Sequence, residues 1–260
     1  MRRRSRGRSH VIGLLAAAAC AWVGLTAPAA SAAEPAGVTP FIVGGSNADR
    51  SYPFMVSLQD GGSHFCGGSL IRADWVLTAA HCVAGAPPGL VTARIGSTDY
   101  TQGGEFAQAD AIVAHPGFDG TSGDDIALVH LSAPVGAAPI PIAPSAPVGT
   151  ASRLLGWGQT CPVPGGCGAP RILQQLDTRV LPAGSCLGID AAVELCTDSP
   201  SGAGACYGDS GGPQLVATGG GWELIGVTSR SGNGSSTCAT GPSIYTNATA
   251  YASWIAQHTG

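Results

Sequence analysis

Residues with strand character come in short runs in this chain, and nearly every run is cut off by Gly, Pro, Asp or Ser. Phe54–Leu58, Trp75–Thr78, Ile126–Leu131, Arg153–Leu155, Leu176–Leu181, Gln214–Ala217 and Leu224–Thr228 are the clearest cases. Runs of this length suit strands and are too short for most helices, so the chain is read as all-β, a sandwich or barrel. With 40 Gly and 19 Pro among 260 residues there are turns enough to connect them. Only Ala248–Gln257 reads as a helix, with Tyr251, Trp254 and Ile255 on one stripe. Residues 133–151 carry no charge and little strand pattern, and are expected to connect one β unit to a second.

The N-terminus reads as an export signal. Arg2, Arg3, Arg4, Arg6 and Arg8 form a basic region, Val11–Ala27 an apolar one, and small residues at Ala30/Ala32 or Ser31/Ala33 suit a signal peptidase. The alternative is a membrane anchor, for which this Ala- and Gly-rich stretch is marginal. Residues 1–33 are therefore assigned to the signal. Five of the 12 basic residues and one of the 16 acidic ones fall within residues 1–41, which leaves 7 Arg, no Lys, 15 acids and a formal charge of −8. A surface so acidic argues against nucleic acid as a partner and against a membrane role after processing.

Nine cysteines are present, and Cys20 lies in the apolar leader. The other eight (Cys66, Cys82, Cys161, Cys167, Cys186, Cys196, Cys206 and Cys238) suggest four disulfides in an exported protein. Zinc is the competing reading, but no paired CxxC or HxxxH spacing accompanies them.

Three clusters carry chemistry: Thr78-Ala79-Ala80-His81-Cys82, Asp124-Asp125-Ile126-Ala127-Leu128 and Gly208-Asp209-Ser210-Gly211-Gly212-Pro213. A serine hydroxyl is a poor nucleophile until an imidazole takes its proton, and the imidazole needs a carboxylate to fix its tautomer. Glycines beside the serine let the backbone aim N–H groups at a developing oxyanion.

In the order His, Asp, Ser, these motifs resemble the chymotrypsin-like (trypsin-fold) serine endopeptidases over residues 42–260, and the bacterial secreted branch in particular. The resemblance implies two six-stranded antiparallel β-barrels with the active site between them. It implies that His81 is the general base and acid, Asp125 its orienting carboxylate and Ser210 the nucleophile, with an oxyanion hole from the N–H groups of Gly208 and Ser210. Asp124 is the rival for the acid role; the family pattern favours the residue before Ile-Ala-Leu. Ser229 matches a serine that supports the carboxylate. The motif Ile42-Val43-Gly44-Gly45 implies a zymogen cut after Phe41, removing a propeptide of residues 34–41. The freed Ile42 ammonium would pair with Asp209, and Phe41 makes a trypsin-like activator unexpected. Family spacing implies the disulfides Cys66–Cys82, Cys186–Cys196 and Cys206–Cys238, leaving Cys161–Cys167 as a short extra bridge.

The same resemblance places Gly204 at the floor of the primary specificity pocket, followed by Ala205. Trypsin-like members hold Asp at that floor; without it, burial of a P1 cation is uncompensated. Ser231 and Ser243 stand at wall positions where open pockets carry Gly, implying small or medium apolar P1 residues. Tyr207 is expected to overhang the pocket mouth. Arg230 replaces a family tryptophan, read either as a solvated arginine or as a cation favouring acidic subsites. His64, His115, His130 and His258 have no partner motif and are read as structural or surface residues. No metal or cofactor is expected. Substrates would be proteins and peptides, partners would include proteinaceous inhibitors, and a secreted monomer is the family default. An esterase on the same residues, or an inactive binding relative, are the other functions considered.

Overall fold

The computed structural model describes residues 42–120 and 123–260; the expected signal and propeptide lie outside them. Thirteen strands follow in chain order: β1 (Ser46–Asn47), β2 (Met55–Asp60), β3 (Ser63–Arg72), β4 (Trp75–Thr78), β5 (Thr92–Ile95), β6 (Glu105–Ala114), β7 (Ala127–Leu131), β8 (Ala151–Gly156), β9 (Gln174–Leu181), β10 (Glu194–Thr197), β11 (Pro213–Thr218), β12 (Gly221–Ser231) and β13 (Ser243–Asn247). Two short α-helices accompany them, α1 (Ala80–Val83) and α2 (Ala252–Thr259).

Strands β2-β3-β4-β7-β6-β5 close into one antiparallel barrel. A second closes through β9-β10-β13-β12-β11-β8, because β8 also pairs with β9, and β1 adds to the outside of β9. Both six-stranded barrels are thus as expected. The short runs mark strands because alternate side chains enter a barrel interior; Val56 and Leu58, Val76, Leu128 and Leu215 are all fully buried. The second half of the expected C-terminal helix holds as α2, while Ala248–Tyr251 winds more tightly as a 3-10 turn.

The uncharged connector forms no strand before Ala151, but it stitches the two barrels together. Ile140 N donates to Leu70 O on β3, and Ala143 N to Leu224 O on β12. The barrels also touch through glycine. Gly67 on β3 lies against Gly212, where a Cβ would come within 2.7 Å of the Gly212 Cα. Gly67 N donates to Ser210 O at 2.7 Å, so the Ser210 segment of the second barrel rests directly on the first.

Candidate active site

All four expected disulfides are present. Cys66–Cys82 bonds the residue before Gly67 to the residue after His81, so one covalent link braces the two segments on which His81 and Ser210 depend. His81 and these two sulfurs lie close enough together to suggest a metal site. Both thiols are consumed by the disulfide, which leaves one ligand.

His81 sits on the single turn of α1 and is about one-third exposed. Its Nδ1 lies 2.7 Å from Asp125 Oδ2, and its backbone N–H donates to Asp125 Oδ1 at 2.9 Å. Ser229 Oγ donates to Asp125 Oδ2 at 2.6 Å, and Thr246 Oγ1 to the Asp125 carbonyl at 2.8 Å. Burial by itself would raise the Asp125 carboxyl, but the hydrogen bond and charge of His81 and the Ser229 hydroxyl hold it below the ordinary value. An ionised Asp125 makes Nδ1 the protonated nitrogen of a neutral His81 and leaves Nε2 free to accept. The Asp124 carboxylate does not face His81; it accepts from the Tyr251 hydroxyl. Of the two rivals, Asp125 is the one whose carboxylate meets the imidazole.

Ser210 is partly exposed and lines a cavity of about 140 Å³. The backbone around it is held peptide by peptide. Asp209 N, Gly211 N and Gly212 N donate to Cys206 O, Thr228 O and Asp209 O. The N–H groups of Gly208 and Ser210 enter no hydrogen bond among the described residues. Their directions are set because each planar peptide has its carbonyl engaged: Tyr207 O accepts from Gln159 N, and Asp209 O from Gly212 N. Gly208 adopts φ of +98°, open to glycine and strained for other residues. Two oriented N–H groups beside a hydroxyl make a pocket for an oxyanion.

Gln159 carries no motif that marks it in the sequence, and His64, expected to be structural or on the surface, is structural. His64 is not an idle surface residue: its Nε2 lies 2.9 Å from Gly208 O and its Nδ1 2.9 Å from Ser57 Oγ. Burial, opposed by the bond to Gly208, lowers its pKa to about 4, so it is neutral at pH 7. No local motif announces such a residue, since its partner lies 144 positions away.

Asp209 is buried and accepts from Cys206 N and Gly158 N, both at 2.8 Å. Burial, partly offset by these two bonds, pushes its carboxyl up to about 7. Among the described residues no side-chain cation reaches it. Ile42 is buried in the second barrel with Leu154, Val180 and Ala203, and Val43 O accepts from Gly204 N.

Ala205, Tyr207, Ser229, Arg230, Ser231 and Ser243 all line the cavity, and among the described residues none of its lining is acidic. Gly204, expected at the floor, is buried and is not among the described lining residues. A Cβ there would come within 2.8 Å of Ser199 Oγ, which is itself bonded to Gly241 O. Tyr207 Oη donates to Ser236 O at 2.8 Å, joining the nucleophile segment to the opposite loop. Both readings of Arg230 need correction. Its guanidinium grips the buried Glu194 on β10 bidentately, and Nη2 also donates to Gly188 O. With its charge neutralised, Arg230 is neither a solvated arginine nor a free cation for acidic substrates.

The comparisons agree with this geometry. Residues 42–255 match the Trypsin family. Trypsin of Sus scrofa is 38% identical over 234 residues, covering 83% of this chain and 94% of the relative. Trypsin alpha of Drosophila melanogaster is 32% identical over 264 residues, covering 94% and 96%. Trypsin of Sarcophaga bullata is 33% identical over 227 residues, covering 79% and 84%. These relatives are animal proteins, so the expected bacterial branch finds no support in them. With both barrels, the motif order and this similarity in agreement, the chain belongs to the trypsin family and is a serine endopeptidase acting on proteins and peptides.

Proposed function

We propose that Ser210, His81 and Asp125 carry out the hydrolysis. His81 Nε2 takes the proton from Ser210 Oγ as that oxygen attacks the scissile carbonyl. The oxyanion that forms is held by the N–H groups of Gly208 and Ser210, and the His81 proton passes to the leaving amine. Water then repeats the sequence on the acyl-enzyme. The observation that carries this reading is the buried carboxylate of Asp125, held 2.7 Å from His81 Nδ1 and 2.6 Å from Ser229 Oγ.

The protein is made as a secreted zymogen, with residues 1–33 the signal and 34–41 the propeptide, and is cut before Ile42. Support comes from Asp209, a buried carboxylate with two N–H donors and, among the described residues, no side-chain cation, which the new Ile42 ammonium would neutralise. The mature enzyme is an extracellular monomer open to proteinaceous inhibitors. N-terminal sequencing of active enzyme should find a start at Ile42; a start at Glu34 contradicts this.

The relatives bear the name trypsin, yet the primary pocket of this chain favours a neutral P1 residue of small or medium size, such as Ala, Val or Leu. Gly204 in place of an acid, and a cavity whose one charged lining residue is the neutralised Arg230, support this. Hydroxyls around the cavity donate to carbonyl oxygens of its own wall: Ser231 Oγ to Asn233 Oδ1, Ser235 Oγ to Thr237 O, and Thr240 Oγ1 to Thr237 O. Their polarity is thereby spent within the wall. Digestion of unstructured proteins by enzyme activated at Ile42, with every cut mapped by mass spectrometry, tests the whole reading. Cuts after Ala, Val or Leu that vanish in Ser210→Ala support it, and cuts after Arg or Lys overturn the pocket assignment. Ester hydrolysis without proteolysis would favour an esterase.

A further inference from the structure

Asp124 precedes the acid of the triad, and its backbone is left-handed, with φ of +44°. Asp tolerates this region better than most residues, but such a conformation persists only where the surroundings impose it. Two neighbours do so. Tyr251 Oη donates to Asp124 Oδ1 at 2.5 Å; His115 Nδ1, 3.5 Å from that oxygen, accepts from Gly117 N instead. On the other side Gly117 faces Oδ2 so closely that a Cβ there would stand 2.1 Å from it.

The constraint reaches Asp125 through one peptide. Ile126 N donates to Asp124 O at 2.8 Å, closing a three-residue turn with Asp125 at its centre. Rotation at Asp124 therefore swings the Asp125 carboxylate relative to His81. Tyr251 is buried at the end of the 3-10 turn before α2. Its ring meets His115 edge-on at 5.2 Å, and Trp254 on α2 meets the same imidazole at 5.0 Å.

We infer that Tyr251 and Asp124 form a positioning clamp through which the C-terminal segment of the chain holds Asp125 in register with His81. Neither residue touches substrate; both act through Asp125. This rests on Ser210, His81 and Asp125 being the reacting set.

The test uses the full mature chain. Tyr251→Phe removes one oxygen and keeps the ring, and Asp124→Ala removes the acceptor. Each should lower kcat on a peptide substrate about 10–100-fold with KM little changed, the loss expected for a displacement of about 1 Å. The rate at which an organophosphorus fluoride modifies Ser210 should fall in parallel, since it needs the same base. Asp124→Asn keeps the acceptor and tolerates the left-handed backbone, and should recover most of the loss. Gly117→Ala, which pushes on the carboxylate from the other side, should repeat it. The clamp is overturned if folded Tyr251→Phe and Asp124→Ala keep kcat within about twofold of wild type, too little for a displaced acid. It is equally overturned if kcat falls while the Ser210 modification rate is unchanged, or if Asp124→Asn is as impaired as Asp124→Ala. Ser210→Ala is run beside them: retention of activity there refutes the triad reading, whereas its loss with an unaffected Tyr251→Phe refutes the clamp alone.

Discussion

At Asp125 the chemistry of a single carboxylate is set by what donates to it. Its pKa is held below the ordinary value although it is buried, so it stays ionised through the working pH range and keeps His81 in one tautomer. Asp125→Asn preserves the shape but offers an amide to Nδ1; kcat should fall about 10⁴-fold while the fold is retained, measured by steady-state kinetics beside circular dichroism. Asp209 behaves oppositely. Its folded pKa of about 7 exceeds the ordinary 3.8, so the folded, uncut chain holds a proton that the unfolded chain releases. Stability of the zymogen should therefore fall as pH rises from about 4 to 7 and level off above, by on the order of 4 kcal/mol at most. Urea unfolding of uncut protein across that range should show the slope, and Asp209→Asn should lose it. Under the proposed activation, cleavage before Ile42 supplies an ammonium, and the cut enzyme should lack the decline at neutral pH.

Between elements, Arg230 and Glu194 bind β12 to β10 across the wall of the cavity. Glu194 is almost wholly enclosed, with 1% of its side chain exposed, so removing its partner strands a buried charge. Arg230→Ala should destabilise the protein by about 3–5 kcal/mol, whereas Arg230→Met combined with Glu194→Leu should recover most of this in urea unfolding. Cys161–Cys167 closes a loop of short separation, and its reduction or removal should cost about 2 kcal/mol. Strands were legible where apolar residues run on without interruption, as at Trp75–Thr78, which β4 matches residue for residue. They were less legible where barrel interiors accept small or polar residues. β3 runs through Gly67, Gly68 and Ser69, and on β13 the fully buried Thr246 bonds to the Asp125 carbonyl. Such strands have no apolar alternation to read, because their burial is decided by partners distant in sequence.

For the molecule as a whole, the site is a product of two barrels meeting. His81 and Asp125 belong to the first barrel, and Ser210, Ser229 and Thr246 to the second. Placing a methyl at the crossing therefore separates the parts without touching any of them. Gly67→Ala would drive a Cβ into Gly212 and should lower activity far more than thermal stability, read by parallel kinetics and melting. The sequence by itself determined what is encoded locally: short strands, eight cysteines outside residues 1–33, and three motifs whose residue types and order match the trypsin family. Chain-neighbour spacing carries that information because strand period, turn chemistry and motif identity all act within a few residues. Only the tertiary structure gave Asp124 the Tyr251 hydroxyl, Arg230 the buried Glu194, and His64 the Gly208 carbonyl. Each of those outcomes depends on a group between 36 and 144 positions away. The closing of the barrels brings such groups within hydrogen-bond reach, which no local pattern specifies.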